Sequence, residues 1–134
     1  MTTKKIIVII LCIVIVGSVF VGYNQFFNSK TNALKIVTMD LMNSEAQSNF
    51  TVTVKIQNTG SNNIHNAEFN FILIKDNDIV GSDVQFVNLE TNSESIYSAN
   101  FINVPFETGS IYKVIGSIYL KNECLDTKTI TKQF

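Results

Sequence analysis

Two hydrophobic periods divide this chain. From Ile6 to Tyr23 no residue carries a charge, and nearly all are Ile, Val, Leu, Phe or Gly. A helix of that length reaches ~27 Å, close to the thickness of a bilayer's hydrocarbon core. Backbone polar groups in hydrocarbon must pair within the segment, so a lone span is helical even when rich in β-branched residues. Lys4 and Lys5 precede the run, and Tyr23, Phe26 and Phe27 follow where an aromatic belt would sit. The expectation is a permanent single-pass anchor over residues 1–27, with the N-terminus cytoplasmic and the rest of the chain outside the cell membrane. A cleaved signal peptide and a pilin-like leader are the alternatives. Against the first, the apolar run exceeds the 7–15 residues of a signal core, and Val19 to Tyr23 offers no small-x-small cleavage site. A lipoprotein signal fails as well, since Leu11 and not a small residue precedes Cys12; against the pilin-like leader, Lys5 runs into Ile6 with no small residue between them.

A polar linker, residues 28–32, separates this run from a region where the period becomes two. Phe50, Val52, Val54 and Ile56 alternate with Thr51, Thr53, Lys55 and Gln57, the pattern of a strand with one face buried. Asn58 to Asn63 is a cluster of turn-tolerant residues. Residues 67–75 form the next strand, apolar on both faces at Phe69, Phe71 and Leu73 and at Ile72 and Ile74, which suggests a central strand or an edge covered by a loop. Asp76-Asn77-Asp78 is a tight turn into Ile79-Val80, and Gly81-Ser82-Asp83 reads as a break before a strand over 84–89. Further strands are expected over 33–42, 94–103, 110–120 and 124–132, with the single Pro105 in a connection. About seven strands, regular turn signals and no helical period over residues 33–134 predict an all-β, immunoglobulin-like antiparallel sandwich. A small closed barrel is the alternative. With no Trp and no cysteine pair in this region, it is not an antibody-type domain.

Charge and cysteine content narrow the function classes. The net charge is −1 and charged residues make up 16%, so there is no basic stripe for nucleic acid. Cys12 lies in the apolar run and Cys124 near the C-terminus, which leaves no disulfide framework; Cys124 reads as a half-buried strand thiol.

The stretch from Phe50 to Phe101 resembles the FxLYD and CARDB-type modules of bacterial and archaeal cell surfaces. The likeness rests on Val52-Thr-Val-Lys-Ile-Gln-Asn58-Thr-Gly60, on Ile64-His65-Asn66-Ala67, on the Lys75-to-Gly81 hairpin, and on the turn from Leu89 to Ser95. The hairpin matches only loosely: the family's usual glycine within it is replaced, and Asp78 stands near its place. The resemblance implies a non-catalytic adhesion, spacing or assembly unit. One span followed by one small outer sandwich also resembles the stator-type subunits of the archaellum, and the abundance of Ile, Asn and Lys is compatible with an archaeal source.

Constellations for chemistry are sparse. His65 is the only histidine and is expected in the loop after the strongest strand, as an exposed turn residue. Asp76, Asp78 and Asp83 make the best oxygen cluster for calcium, yet the full calcium-loop pattern is missing and an Asp/Asn-rich turn needs no metal. Asn49-Phe50-Thr51 is a glycosylation sequon. Tyr97, Tyr112 and Tyr119 fall on strands, where packing explains them. No residue is assigned a catalytic, cofactor-binding or metal role, and no small-molecule substrate is evident. The expected function is a membrane-anchored, non-catalytic surface module whose partner is another envelope or surface protein. The alternative is a subunit of a larger envelope machine, archaellum stator or pilus-like, assembled through its span; Gly17, Ser18 and Gly22 supply the small residues such contacts use.

Overall fold

A computed structural model describes residues 33–44 and 48–134. The expected anchor and linker, with Cys12, Gly17, Ser18 and Gly22, lie outside the described residues. Seven strands follow in order: β1 Leu34–Ser44, β2 Asn49–Asn58, β3 Ile64–Lys75, β4 Asp78–Leu89, β5 Glu94–Phe101, β6 Ile111–Leu120 and β7 Glu123–Gln133. They form two antiparallel sheets, β1-β2-β5 and β4-β3-β6-β7. The expected sandwich is therefore present, and β3 is a central strand.

The alternation of β2 does what its pattern promises, with Phe50, Val52, Val54 and Ile56 all fully buried. They meet Ala67, Phe69, Phe71 and Leu73 of β3 and Tyr112, Val114 and Ile118 of β6 in one core. Strand β1 keeps its apolar residues inside only through a bulge. Leu34 and Ile36 are buried, then Met39 and Leu41, so the period slips by one, and the register shifts between Ile36 and Thr38. A bulge inserts one unpaired residue, here Val37, and restores the inward parity. On β6, Gly116 is required by close approach, since a Cβ there would lie 2.9 Å from the Phe69 ring and 3.0 Å from the Met39 sulfur.

Strand β4 runs unbroken through Gly81-Ser82-Asp83, where a break was expected. The register passes from Leu73↔Gly81 to Ile74↔Ile79, so Val80 is an extra residue and the irregularity is a bulge within a continuous strand. Gly81 serves packing here, because a Cβ would sit 2.6 Å from Cδ1 of the buried Phe101 ring. The turn from β3 is tighter than expected: Lys75 pairs with Asp78, leaving Asp76 (φ 47°) and Asn77 (φ 76°) as a two-residue hairpin loop. Both φ values are positive, as the primed turns that match strand twist demand, and Asp and Asn tolerate them.

The two sheets meet at their edges through side chains rather than a continuous backbone ladder, which distinguishes the fold from a closed barrel. At one corner Lys128 and Lys132 of β7 donate to the Val37 and Leu41 carbonyls of β1, both at 2.9 Å, and Asp126 Oδ2 accepts from the Ile36 N–H at 2.8 Å. At the other, Gln85 of β4 donates to Ser98 O of β5 at 2.7 Å and Tyr97 Oη to Asn88 O at 3.3 Å. The polar character of β7 thus caps an edge that would otherwise offer free carbonyls. The β5–β6 connection is held by Tyr112, whose fully buried side chain donates to Pro105 O at 2.9 Å and accepts from Glu107 N at 3.0 Å. A tyrosine clasping the connection that precedes its own strand is a device of immunoglobulin-type sandwiches.

Candidate interaction surface

Strand β4, like β3, carries apolar residues on both parities. Apolar residues stand at 84 and 86 and again at 87 and 89, so one pair must face outward. Register decides which pair. Gln85 and Asp83 lie opposite Phe69 and Phe71, which face the core, and so share their side of the sheet. Val84 and Phe86 are left on the outer face, 51% and 64% exposed.

They do not stand alone. Pairing across β4-β3-β6-β7 puts Phe86, Glu68, Tyr119 and Cys124 in one outer row, and Val84, Asn70, Ser117 and Thr127 in the next. Ser82, Ile72, Ile115 and Thr129 follow, then Ile79, Ile74, Lys113 and Thr131. Ile79 is 68% exposed, Ile111 beyond the last row is 50% exposed, and Ile72, Ile74 and Ile115 are half-buried. In the middle, Asn70 Oδ1 is buried with no hydrogen-bond partner among the described residues. The outer face of β1-β2-β5 is different. Its central strand presents Thr51, Thr53, Lys55 and Gln57, with Lys55 paired to Glu94 at 2.9 Å and Thr51 to Asn100 at 2.8 Å. That outer face has a polar, cross-linked central strand with Met42 and Ile96 exposed on the strands beside it; the outer face of the four-stranded sheet carries the larger apolar set, interspersed with Ser, Thr and Asn and with two charges.

The residues singled out by sequence are scattered over this frame. His65 lies on β3 instead of in the preceding loop, because the strand begins at Ile64, which pairs with Leu89. It is exposed, in the bulge where Asn66 takes φ 56°. The aspartates do not converge. Asp76 holds the β5–β6 connection, accepting from the Ile111 N–H at 3.1 Å, and that bond, with a further one from Ser110, keeps its carboxyl below the usual carboxylate range. Asp83 is carried five residues along β4 from Asp78, ~17 Å in an extended strand, and accepts from Gln85 at 3.0 Å. Among the described residues no three His, Cys, Asp or Glu side chains are placed to share a metal ion. Cys124 is exposed and not half-buried: it follows the β6–β7 turn on an edge strand, with Sγ 3.4 Å from Thr127 Oγ1. Asn49 opens β2 opposite Ser44. Tyr97 and Tyr112 pack as expected, while Tyr119 joins the outer row beside Glu68.

A cleft of about 620 Å³ opens between Met42, Asn43, Phe106, Thr108, Lys132 and Phe134. Lys132 in its wall is already committed to Leu41 O, to Asp40 at 3.7 Å and to the Phe134 ring at 5.3 Å.

No family model and no curated protein matches the chain. Solved structures do. A glycosyl hydrolase family 2 member from Bacteroides cellulosilyticus aligns with 77% of this chain at 16% identity and a TM-score of 0.63. A family 2 β-glucuronidase aligns with 78% at 20% identity and a TM-score of 0.58, and the Bacteroides uniformis β-glucuronidase with 75% at 13% and 0.57. The fold is an immunoglobulin-like β-sandwich. The match spans only 16%, 11% and 12% of those longer chains, so the likeness is to one small part of each.

Proposed function

We propose that this chain is a membrane-anchored, non-catalytic interaction module whose sandwich lies outside the cytoplasmic membrane and presents the outer face of β4-β3-β6-β7 to a protein partner. The observation that carries this reading is β4's reversed pattern, which aims Val84 and Phe86 away from the core beside Ile79 and the half-buried Ile72 and Ile115. A contiguous apolar patch rimmed by polar residues is characteristic of protein contact surfaces. The anchor belongs to the reading through the uncharged run from Ile6 to Tyr23 and the lysines before it. In the glycosidases it resembles, the sandwich is a minor fraction of a much larger chain, which suits a supporting role better than a catalytic one.

Site-specific photo-crosslinking in intact cells tests this. A photoreactive residue at Phe86 or Ile115 is expected to give discrete protein adducts, and one at Thr53 on the polar face is not. Equal labelling from both faces, or none from either, would overturn the assignment.

A further inference from the structure

The partner's chemistry is written in the two charges of the apolar face. Glu68 and Lys113 are the only charged residues in its four rows, and among the described residues neither forms an ion pair. They sit on neighbouring strands: Glu68 lies opposite Tyr119, and Lys113 is six residues before Tyr119 on β6. With ~3.4 Å per residue and ~4.8 Å between strands, the two are about 21 Å apart, at opposite ends of the face. Ile72 and Ile115 lie between them.

We infer that the face is self-complementary and that its partner is a second copy of this chain, paired face to face about a two-fold axis that sets each Glu68 against the other copy's Lys113. The inference rests on the interaction reading above and names its occupant. An isologous contact demands that a patch match itself under a two-fold, and one acid and one base at opposite ends of an apolar strip do so. The axis bisecting the Glu68–Lys113 line lies about 13° from the perpendicular to the strands, given the spacings above. The strands of the two copies then run close to aligned, as in face-to-face packing of sheets. Ile72 and Ile115 fall just to one side of the axis and Asn70 and Ser117 just to the other, so Asn70, whose Oδ1 is buried without a partner among the described residues, lies at the centre of the contact, and Phe86 reaches the Ile74–Ile79 end of the other copy's face. Four strands by about ten residues give a footprint of about 600 Å² per copy, at the low end for specific interfaces.

The test is a charge-swap series on the full chain in detergent micelles, read by sedimentation equilibrium. The parent is expected to dimerise. Glu68→Lys alone and Lys113→Glu alone each place like charges in both contacts and are expected to weaken the dimer about tenfold or more. An equimolar mixture of these two variants restores both contacts in a heterodimer, as does the double variant with itself, and both are expected to recover parental affinity; that recovery also certifies that the variants fold. A monomeric parent, or a dimer indifferent to the swaps, would overturn the inference. Photo-adducts at Phe86 that contain only a different protein would also overturn it while leaving the interaction reading in place.

Discussion

Asn58 is the one wholly buried amide side chain among the described residues, and replacing it with alanine isolates what a buried amide contributes here. It ends the inward series of β2 where hydrophobic alternation would call for another aliphatic residue. Its Nδ2 donates to Asn62 O at 2.8 Å and Leu89 O at 3.2 Å, and its Oδ1 accepts from Gly60 N at 3.0 Å. The side chain thus joins the end of β2, the β2–β3 turn and the end of β4. Asn58→Ala leaves Leu89 O buried without this partner, a loss of about 1–3 kcal/mol. The other two bonds are partly accessible, and water offsets part of their loss, so each adds about 0.5–1 kcal/mol. The expected total is about 3 kcal/mol, which lowers the melting temperature of a domain this size by roughly 15 °C. Thermal unfolding followed by β-sheet circular dichroism measures it. Asn58→Asp sharpens the test. It keeps the acceptor for Gly60 N but aims a carboxylate oxygen at two carbonyls, and burial raises its folded pKa above the unfolded value. A raised carboxyl pKa means the deficit grows as pH rises and shrinks as pH falls, whereas the Asn58→Ala deficit stays level with pH. A loss below about 1 kcal/mol for Asn58→Ala, set against the expected desolvation cost, would refute the reasoning.

Gly81→Ala is expected to destabilise by about 1–3 kcal/mol, since the added methyl falls 2.6 Å from a buried ring that cannot swing aside; recovery of most of that loss on adding Phe101→Leu, in a urea-unfolding cycle, checks the cause. Asp76 has a depressed folded pKa, first from the Ile111 N–H and then from Ser110, so its contribution is present above the ordinary carboxylate pKa and lost as pH falls through the folded value. Asp76→Asn is therefore expected to show a shallower fall in melting temperature below about pH 4 than the parent, and parallel curves would count against this role.

What sequence could disclose depended on whether one parity was apolar and the other polar. In β2 it was, and Phe50 through Ile56 are buried as the alternation implies. The Asp76-Asn77 hairpin was legible for a similar reason, since few residue types accept two successive positive φ values. Which way strand β4 faces was not legible, because Val84 and Phe86 compete with Val87 and Leu89 for the inside on hydrophobicity alone. The decision is tertiary. The core space opposite residues 83 and 85 is already filled by Phe71 and Phe69, and at that corner Gln85 reaches Ser98 O instead. The bulge at Val80 was missed because Gly81-Ser82-Asp83 has the composition of a loop, while Gly81 is there to admit the Phe101 ring.

This limit has a consequence for finding the surface. Apolar residues on both parities of a strand normally mark burial on both faces, as in a sheet covered by a second layer. Here only one layer covers the four-stranded sheet, so the outward set, Ile72, Ile74 and Ile115 on central strands and Val84 and Phe86 on an edge, has no cover within the sandwich. The two-sided pattern of β3 and β4 was visible in the sequence, yet its meaning was not: it looks the same whether the second cover is an element of the same chain or another molecule. Among the described residues the sheet order leaves no strand to cover that face, and that is what makes it a candidate contact surface.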